Sequence, residues 1–166
     1  MLKLNYKKKI IYLVLVITIF FLDRISKIYI INLAEINDLV DIYITSFLNL
    51  YLIWNNGIAF GLLSLDQSFL YNLVTLIIVC INILILVMIY NYSDQRSFFL
   101  IMVLGGSLGN LFDRLYYKAV PDFIDIHYGD FHWFVFNVAD IFITIGVLCL
   151  ILNEMFINKD IKNENK

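Results

Sequence analysis

Cysteine, histidine and proline are nearly missing from this chain: its 166 residues include two Cys, two His and one Pro. Cys80 and Cys149 both fall inside apolar runs, which argues against a disulfide framework and against either acting as a nucleophile. No Ser has a His partner in prospect, so covalent catalysis by a hydroxyl is poorly served. No H-E-x-x-H stretch occurs. Basic residues are absent from a long central segment, with no Lys or Arg between Lys27 and Arg96. No internal repeat is evident, and no stretch is left over for a separate soluble domain.

What the chain has in excess is apolar surface. Hydrophobic residues make up 61% of it, and the mean hydropathy is +0.83. A soluble domain is nearer half apolar, so this composition describes a polytopic membrane protein. The expected fold is an all-α membrane protein with four transmembrane helices and a small extracytoplasmic β-like platform and hairpin. It forms one polytopic domain over residues 1–166, with spans at about 10–31, 68–90, 97–115 and 138–157 and outer loops at 32–67 and 116–137. The basic start (Lys3, Lys7, Lys8, Lys9) ahead of Ile10 is like a secretory signal peptide. Against that, no small-x-small cleavage site follows, and apolar character resumes through Ile31 after an interruption at Asp23, Arg24 and Lys27, so an uncleaved first span is expected. The net charge of −2 says less than its distribution. Lys residues at both ends and none in the first outer loop put both termini in the cytoplasm. The ends themselves, Met1–Lys9 and Asn158–Lys166, are expected to be disordered.

Within these spans the charged residues are not scattered. Asp23 and Lys27 come late in an outward span and share a helix face, either as an i,i+4 ion pair or as functional groups. Asn110, Asp113 and Arg114 come late in another outward span. The uncharged run from Ser97 to Phe112 covers only ~24 Å of rise, which sets Asp113 and Arg114 at the outer boundary. Asp140 comes early in an inward span, and Asp122 and Asn55 lie in outer loops. The embedded ionisable groups therefore fall on one level, the outer leaflet. Gly105, Gly106, Ser107 and Gly109 form a small-residue face suited to close helix packing.

Asp122 and Asp140 are the candidate chemistry. Two apolar, β-branched and aromatic runs flank Gly129–Asp130, which predicts a tight hairpin. With those two as loop residues, Asp122 stands opposite Asn137, and Asp140 is one helical turn further on. Asn137 with Asp140 also reads as a helix N-cap and capping box. The helix N-terminus favours an ionised Asp140, while apolar neighbours favour a protonated Asp122. Such a pair can act as base and acid on one water. A bland alternative leaves Asp140 as a cap and Asp122 as a turn residue. In the same hairpin His127 and His132 are directly opposed, with Asp125 nearby, which raises a metal site. Strand alternation turns Asp122 away from Asp125 and His127, so no metal or other cofactor is expected, and the histidines are placed at the wet interface. Ile42–Trp54 is β-branched and aromatic and predicts strands on the membrane surface. Asn56–Gly57 marks a turn, with Asn55 either a turn residue or a polar contact for a substrate.

These residues resemble the successive motifs of bacterial lipoprotein signal peptidase (signal peptidase II). The resemblance is carried by Asp23-x-x-x-Lys27, Asn55-x-Gly57-x-Ala59-Phe60, Gly105-Gly106-x-x-Gly109-Asn110-x-x-Asp113-Arg114, Val120-x-Asp122-Phe123 and Phe136-Asn137-x-Ala139-Asp140. It implies a four-span aspartic peptidase of the bacterial cytoplasmic membrane that cuts prolipoproteins before a diacylglyceryl-modified cysteine, without metal. It also implies that Asp122 and Asp140 are the catalytic pair. Asp23, Lys27, Asn55, Gly57, Asn110, Arg114, Asn137 and Ala139 would shape the substrate pocket, with Asp113 structural. Membrane lipids and the inhibitor globomycin follow as partners, nucleic acid does not, and a monomer is expected with its site facing the extracytoplasmic side. Departures from the family pattern are Pro121 for an aliphatic residue, Asn56 for Thr, Ile58 for Ala and Ile141 for Ser. Two other classes compete: a proton- or ion-coupled transporter using Asp23, Lys27, Asp113 and Asp140 as a relay, and a non-catalytic assembly protein using the glycine face.

Overall fold

Four helices and four strands follow one another as α1 (Tyr6–Asn37), β1 (Asp41–Thr45), β2 (Leu48–Asn55), α2 (Gln67–Asn91), α3 (Gln95–Tyr116), β3 (Val120–Tyr128), β4 (Phe131–Phe136) and α4 (Val138–Glu164). They are seen in a computed structural model that describes residues 6–37, 39–57, 67–92 and 94–164. Among the described residues, three helices are long and apolar enough to cross a membrane: Phe69–Asn91, Gln95–Tyr116 and Val138–Phe156. α1 is as long, but Asp23, Arg24 and Lys27 interrupt its apolar run, and it stands outside that set. The described parts of the two ends are helical rather than disordered. Lys7–Lys9 continue α1, and α4 runs on to Glu164. Lys is a good helix former, and a helix already nucleated by an apolar segment adds residues at little cost.

α3 is the hub, packed against α1, α2 and α4. The reason lies in its glycines, because only a residue without a side chain lets neighbouring helices come this close. A Cβ at Gly105 would overlap Ile19 of α1, one at Gly106 would run into the Ala139 carbonyl of α4, and one at Gly109 would meet the Asp23 carboxylate. Gly106→Ala should therefore destabilise by about 1–3 kcal/mol, because backbone cannot yield as a side chain would. Thermal unfolding in detergent checks this. α2 contributes one side to a small core of Ile85, Leu100, Val103 and Leu104, and leaves the rest of its surface covered with exposed Leu, Ile and Val.

The strands form one antiparallel sheet in the order β1-β2-β3-β4. Its inner face rests on the end of α1 through Ile30, Val40 and Phe123, with Leu50, Leu52 and Val138 around them. The expected hairpin is present: Gly129 takes φ +57 at the turn, and Tyr128 pairs with Phe131 and His127 with His132. Its predicted register does not persist. A bulge beyond His132 shifts the ladder by one, so that Ile126 pairs with Phe134 and Ile124 with Phe136. Asp122 is therefore not the ladder partner of Asn137; β4 has ended by that point, and β3 continues alone beside β2. Pro121 is tolerated there because β3 has a neighbour on only one side, so its missing N–H need not serve a second ladder.

Candidate active site

The capping signal in Asn137–Asp140 is realised fully. The Asn137 backbone N–H donates to Asp140 Oδ2 at 3.1 Å, and the Asp140 N–H donates to Asn137 Oδ1 at 3.2 Å. That reciprocal box starts α4 and fixes both side chains. It leaves the Asn137 amide nitrogen free, and Nδ2 donates to Asp122 Oδ1 at 2.6 Å. One fully buried asparagine thus holds both carboxylates, although the strand register does not pair it with Asp122.

Each carboxylate has a second donor from a different element. Asn55 on β2 donates from Nδ2 to Asp122 Oδ2 at 2.8 Å, a diagonal reach across the β2–β3 pair. Its own Oδ1 accepts the Gly57 N–H at 2.7 Å, where Gly57 turns the chain with φ +73. Asn55 is therefore the turn residue, and its amide group also serves Asp122. Ala59 and Phe60, from the same motif, lie outside the described residues. Asn110 on α3 donates from Nδ2 to Asp140 Oδ1 at 2.8 Å. Asp122 is buried, and desolvation raises its pKa above the usual carboxylate value. The Asp140 charge adds to the rise, while the Asn137 and Asn55 hydrogen bonds and Lys27 oppose it.

Beneath the pair lies a dry network of charges. The Lys27 ammonium donates to Asp23 Oδ2 (2.9 Å), Asn110 Oδ1 (2.8 Å) and Asp113 Oδ2 (2.7 Å), which uses all three of its protons. Asp23 Oδ1 accepts the Ala139 backbone N–H at 3.0 Å, one of the free donors at the start of α4. Asp23, Lys27, Asp113, Asn137 and Ala139 are all fully buried. The i,i+4 pair of Asp23 and Lys27 is real, but it is one edge of a larger assembly. Arg24, read in the sequence only as an interruption of the span, pairs with Asp113 at 2.5 Å and balances the second carboxylate. Its signal was an arginine next to an acid inside an otherwise apolar run.

Arg114 is not drawn into the pair's hydrogen bonds. Its guanidinium lies beside Gly57 and over the Tyr71 ring at 5.9 Å, and its carbonyl accepts the Tyr71 hydroxyl at 2.7 Å. Its Nε and Nη1 are buried with no hydrogen-bond partner among the described residues. An apolar pocket of about 250 Å³ opens directly beside Asp140, lined by Ile126, Phe134, Phe136, Ile141, Thr144 and Ile145. On the hairpin, Asp125, His127 and His132 meet away from the carboxylate pair, with His132 exposed and His127 mostly covered rather than at the wet surface.

Comparison with known proteins identifies the family. The family described as Signal peptidase (SPase) II matches residues 15–156. The chain is 54% identical over 162 residues to Lipoprotein signal peptidase of Pelagibacter ubique (strain HTCC1062), covering 98% of each. It is 42% identical over 155 residues to Lipoprotein signal peptidase of Aquifex aeolicus (strain VF5), covering 92% of this chain and 90% of that one. A bacterial membrane enzyme solved by the in meso method at 1.9 Å superposes with a TM-score of 0.65 at 27% identity, over 92% of this chain and 96% of that one. The matches and the apolar helices define a membrane-embedded aspartic peptidase. The chain is a member of the signal peptidase II family.

Proposed function

We propose that Asp122 and Asp140 are the catalytic dyad of a peptidase that cleaves prolipoproteins before a diacylglyceryl-modified cysteine. The observation that carries this reading is the shared hold of Asn137 on both carboxylates. Asp140, at the helix N-terminus, starts as the carboxylate, and Asp122, the more desolvated, carries the proton. Asp140 takes a proton from water as its oxygen adds to the scissile carbonyl, while Asp122 gives its proton to the carbonyl oxygen. The resulting gem-diol collapses as Asp122 recovers a hydroxyl proton and Asp140 passes its proton to the leaving nitrogen. The C–N bond breaks, releasing the signal peptide as an acid and the lipidated cysteine with a free amine. Both carboxyls end as they began.

Asn110, Asn137 and Asn55 keep the carboxylates oriented, and Asp23, Lys27 and Asp113 hold α1, α3 and α4 around them. Gly57 and Ala139 contribute through backbone N–H groups, and Arg114 lies toward the Asn55–Gly57 turn. The apolar pocket beside Asp140 suits the lipid chains or the apolar signal helix, and globomycin would compete for the same space. α1 serves as a fourth span. Asp23, Arg24 and Lys27 are buried in the bundle, whereas Ile17, Phe21, Leu22, Ile25 and Ile28 face outward. With basic residues at the opposite end from the dyad, the positive-inside rule sets both termini in the cytoplasm and the site on the extracytoplasmic side of the cytoplasmic membrane. The whole chain then works as one domain and as a monomer.

The test is cleavage by the purified protein of matched lipidated and unlipidated prolipoprotein substrates. Cutting of the lipidated form alone supports the reading. Equal cutting of both would refute the lipid requirement. Cleavage should also persist in excess EDTA, since no metal enters the proposed steps; loss that Zn²⁺ or Mg²⁺ restores would overturn them.

A further inference from the structure

We propose that Asp125, His127 and His132 form a binding site for a divalent transition-metal ion of the zinc class, on the outer hairpin and apart from the carboxylate dyad. His127 and His132 face each other across the β3–β4 ladder, with ring centroids 5.2 Å apart and planes inclined by 31°. Asp125, two residues earlier on β3, brings Oδ2 to 2.8 Å from His132 Nδ1 and 3.5 Å from His127 Nδ1. One donor atom from each residue lies within 4.8 Å of the other two. Tetrahedral zinc, with bonds of about 2.0–2.1 Å, places its donors about 3.3 Å apart, so side-chain rotation closes the set without moving the strands.

A second observation points to a missing ligand. Asp125 is 1% exposed, yet among the described residues its Oδ1 has no hydrogen-bond partner, and neither does the buried His127 Nδ1. On the neighbouring strand Asn49, the ladder partner of Asp125, has a buried Oδ1 in the same condition. A buried carboxylate oxygen and two further buried polar atoms left unpaired carry a desolvation cost that a cation would remove. A His132–Asp125 hydrogen bond alone leaves all three unsatisfied. The site has an entrance: a pocket of about 380 Å³ bordered by Asp41, Asn49, Asp125 and His132 opens here, and the His132 side chain is 57% exposed.

The donor set chooses the ion. Two imidazoles with one carboxylate suit zinc and its neighbours in the first transition row, whereas Mg²⁺ and Ca²⁺ prefer oxygen ligands throughout. Three protein ligands leave a fourth position for water or the Asp41 carboxylate at the rim. The role is structural. The ion would staple β3 to β4 beside the Gly129 turn, while Asn137, Asn55 and Asn110 hold the dyad without it, so cleavage outlasts its removal.

The experiment is calorimetric titration of the full-length protein, without a polyhistidine tag and in detergent micelles, with Zn²⁺ and separately with Mg²⁺. Visible absorption of Co²⁺ reports the coordination geometry. One saturable Zn²⁺ site, no response to Mg²⁺ and a tetrahedral Co²⁺ spectrum are expected. His132→Ala, at an exposed position that folding tolerates, and His127→Ala should each weaken Zn²⁺ binding at least roughly tenfold, since even outer partners of metal ligands are worth that much. Asp122→Asn should leave it unchanged. Absence of saturable binding, binding that survives both His substitutions, or binding lost in Asp122→Asn would each overturn the proposal.

Discussion

Replacing Asp140 by Asn should reduce cleavage of a lipidated prolipoprotein by about 10²–10⁴-fold, the range that a positioned acid or base contributes. The substitution keeps the shape of the side chain, so α4 still starts at Asn137 and the protein persists in the membrane. An amide cannot accept the water proton. Asp122→Asn should be as damaging, because both residues act on the same proton inventory. Groups that work as a unit are non-additive, so the double variant should be scarcely slower than either single one. The assay is turnover of a lipidated substrate by variants shown by thermal unfolding to be folded. Full activity in either folded single variant would remove the dyad from the mechanism.

The pH dependence of stability reports on Asp122. Because burial raises the Asp122 pKa above its ordinary 3.8, the native state holds that proton more tightly than the unfolded chain does. Stability from this residue is present at low pH and is lost as pH rises from the ordinary value through the raised one. The wild-type melting temperature minus that of Asp122→Asn should therefore fall across that window. A difference that instead rises with pH would mean that the hydrogen bonds from Asn137 and Asn55 outweigh desolvation. Cleavage itself should follow a bell, lost when both carboxyls are protonated and again when both are ionised, with limits that belong to the pair.

Local chemistry was legible in the sequence, and longer-range geometry was not. The Asn137–Asp140 box, the Gly129 turn and the Asp23–Lys27 pair all depend on residues within four positions of one another. The family motifs then named Asn55 and Asn110, which no local rule could place beside a carboxylate. The hairpin register failed at one point, the bulge beyond His132. A bulge is set by how the sheet twists over its neighbours, and the alternating pattern of Phe131–Phe136 reads the same with or without it. Arg24 was missed because i,i+4 reasoning finds partners on one helix, while its main partner, Asp113, lies on another. The same limit hid the use that Asp23 makes of the Ala139 N–H, a link between α1 and α4. Helix ends were misjudged for a simpler reason: Lys and Asn residues beyond the apolar limits still propagate a helix.

Lys27→Met should be the most destabilising change outside the dyad, by about 3–5 kcal/mol, the usual consequence of stripping one partner from a buried ionic group. Met matches the length of lysine and stays within the apolar bundle, so the loss isolates the charge. Asp23 and Asp113 would face each other with Arg24 as their only nearby cation among the described residues. Asn110 Oδ1 would lose its donor, and with it the constraint that aims Nδ2 at Asp140, so cleavage should fall with stability. Lys27→Arg should rescue little, because a planar guanidinium cannot direct three donors at Asp23, Asn110 and Asp113 from a point that is fully enclosed. Adding Asp113→Leu to Lys27→Met restores charge balance, leaving Arg24 against Asp23. That double variant should regain part of the melting temperature but not the cleavage, since Asn110 remains unheld. Recovery of both would mean that Lys27 serves the fold alone, and recovery of neither would mean that the cluster is held by more than its charges.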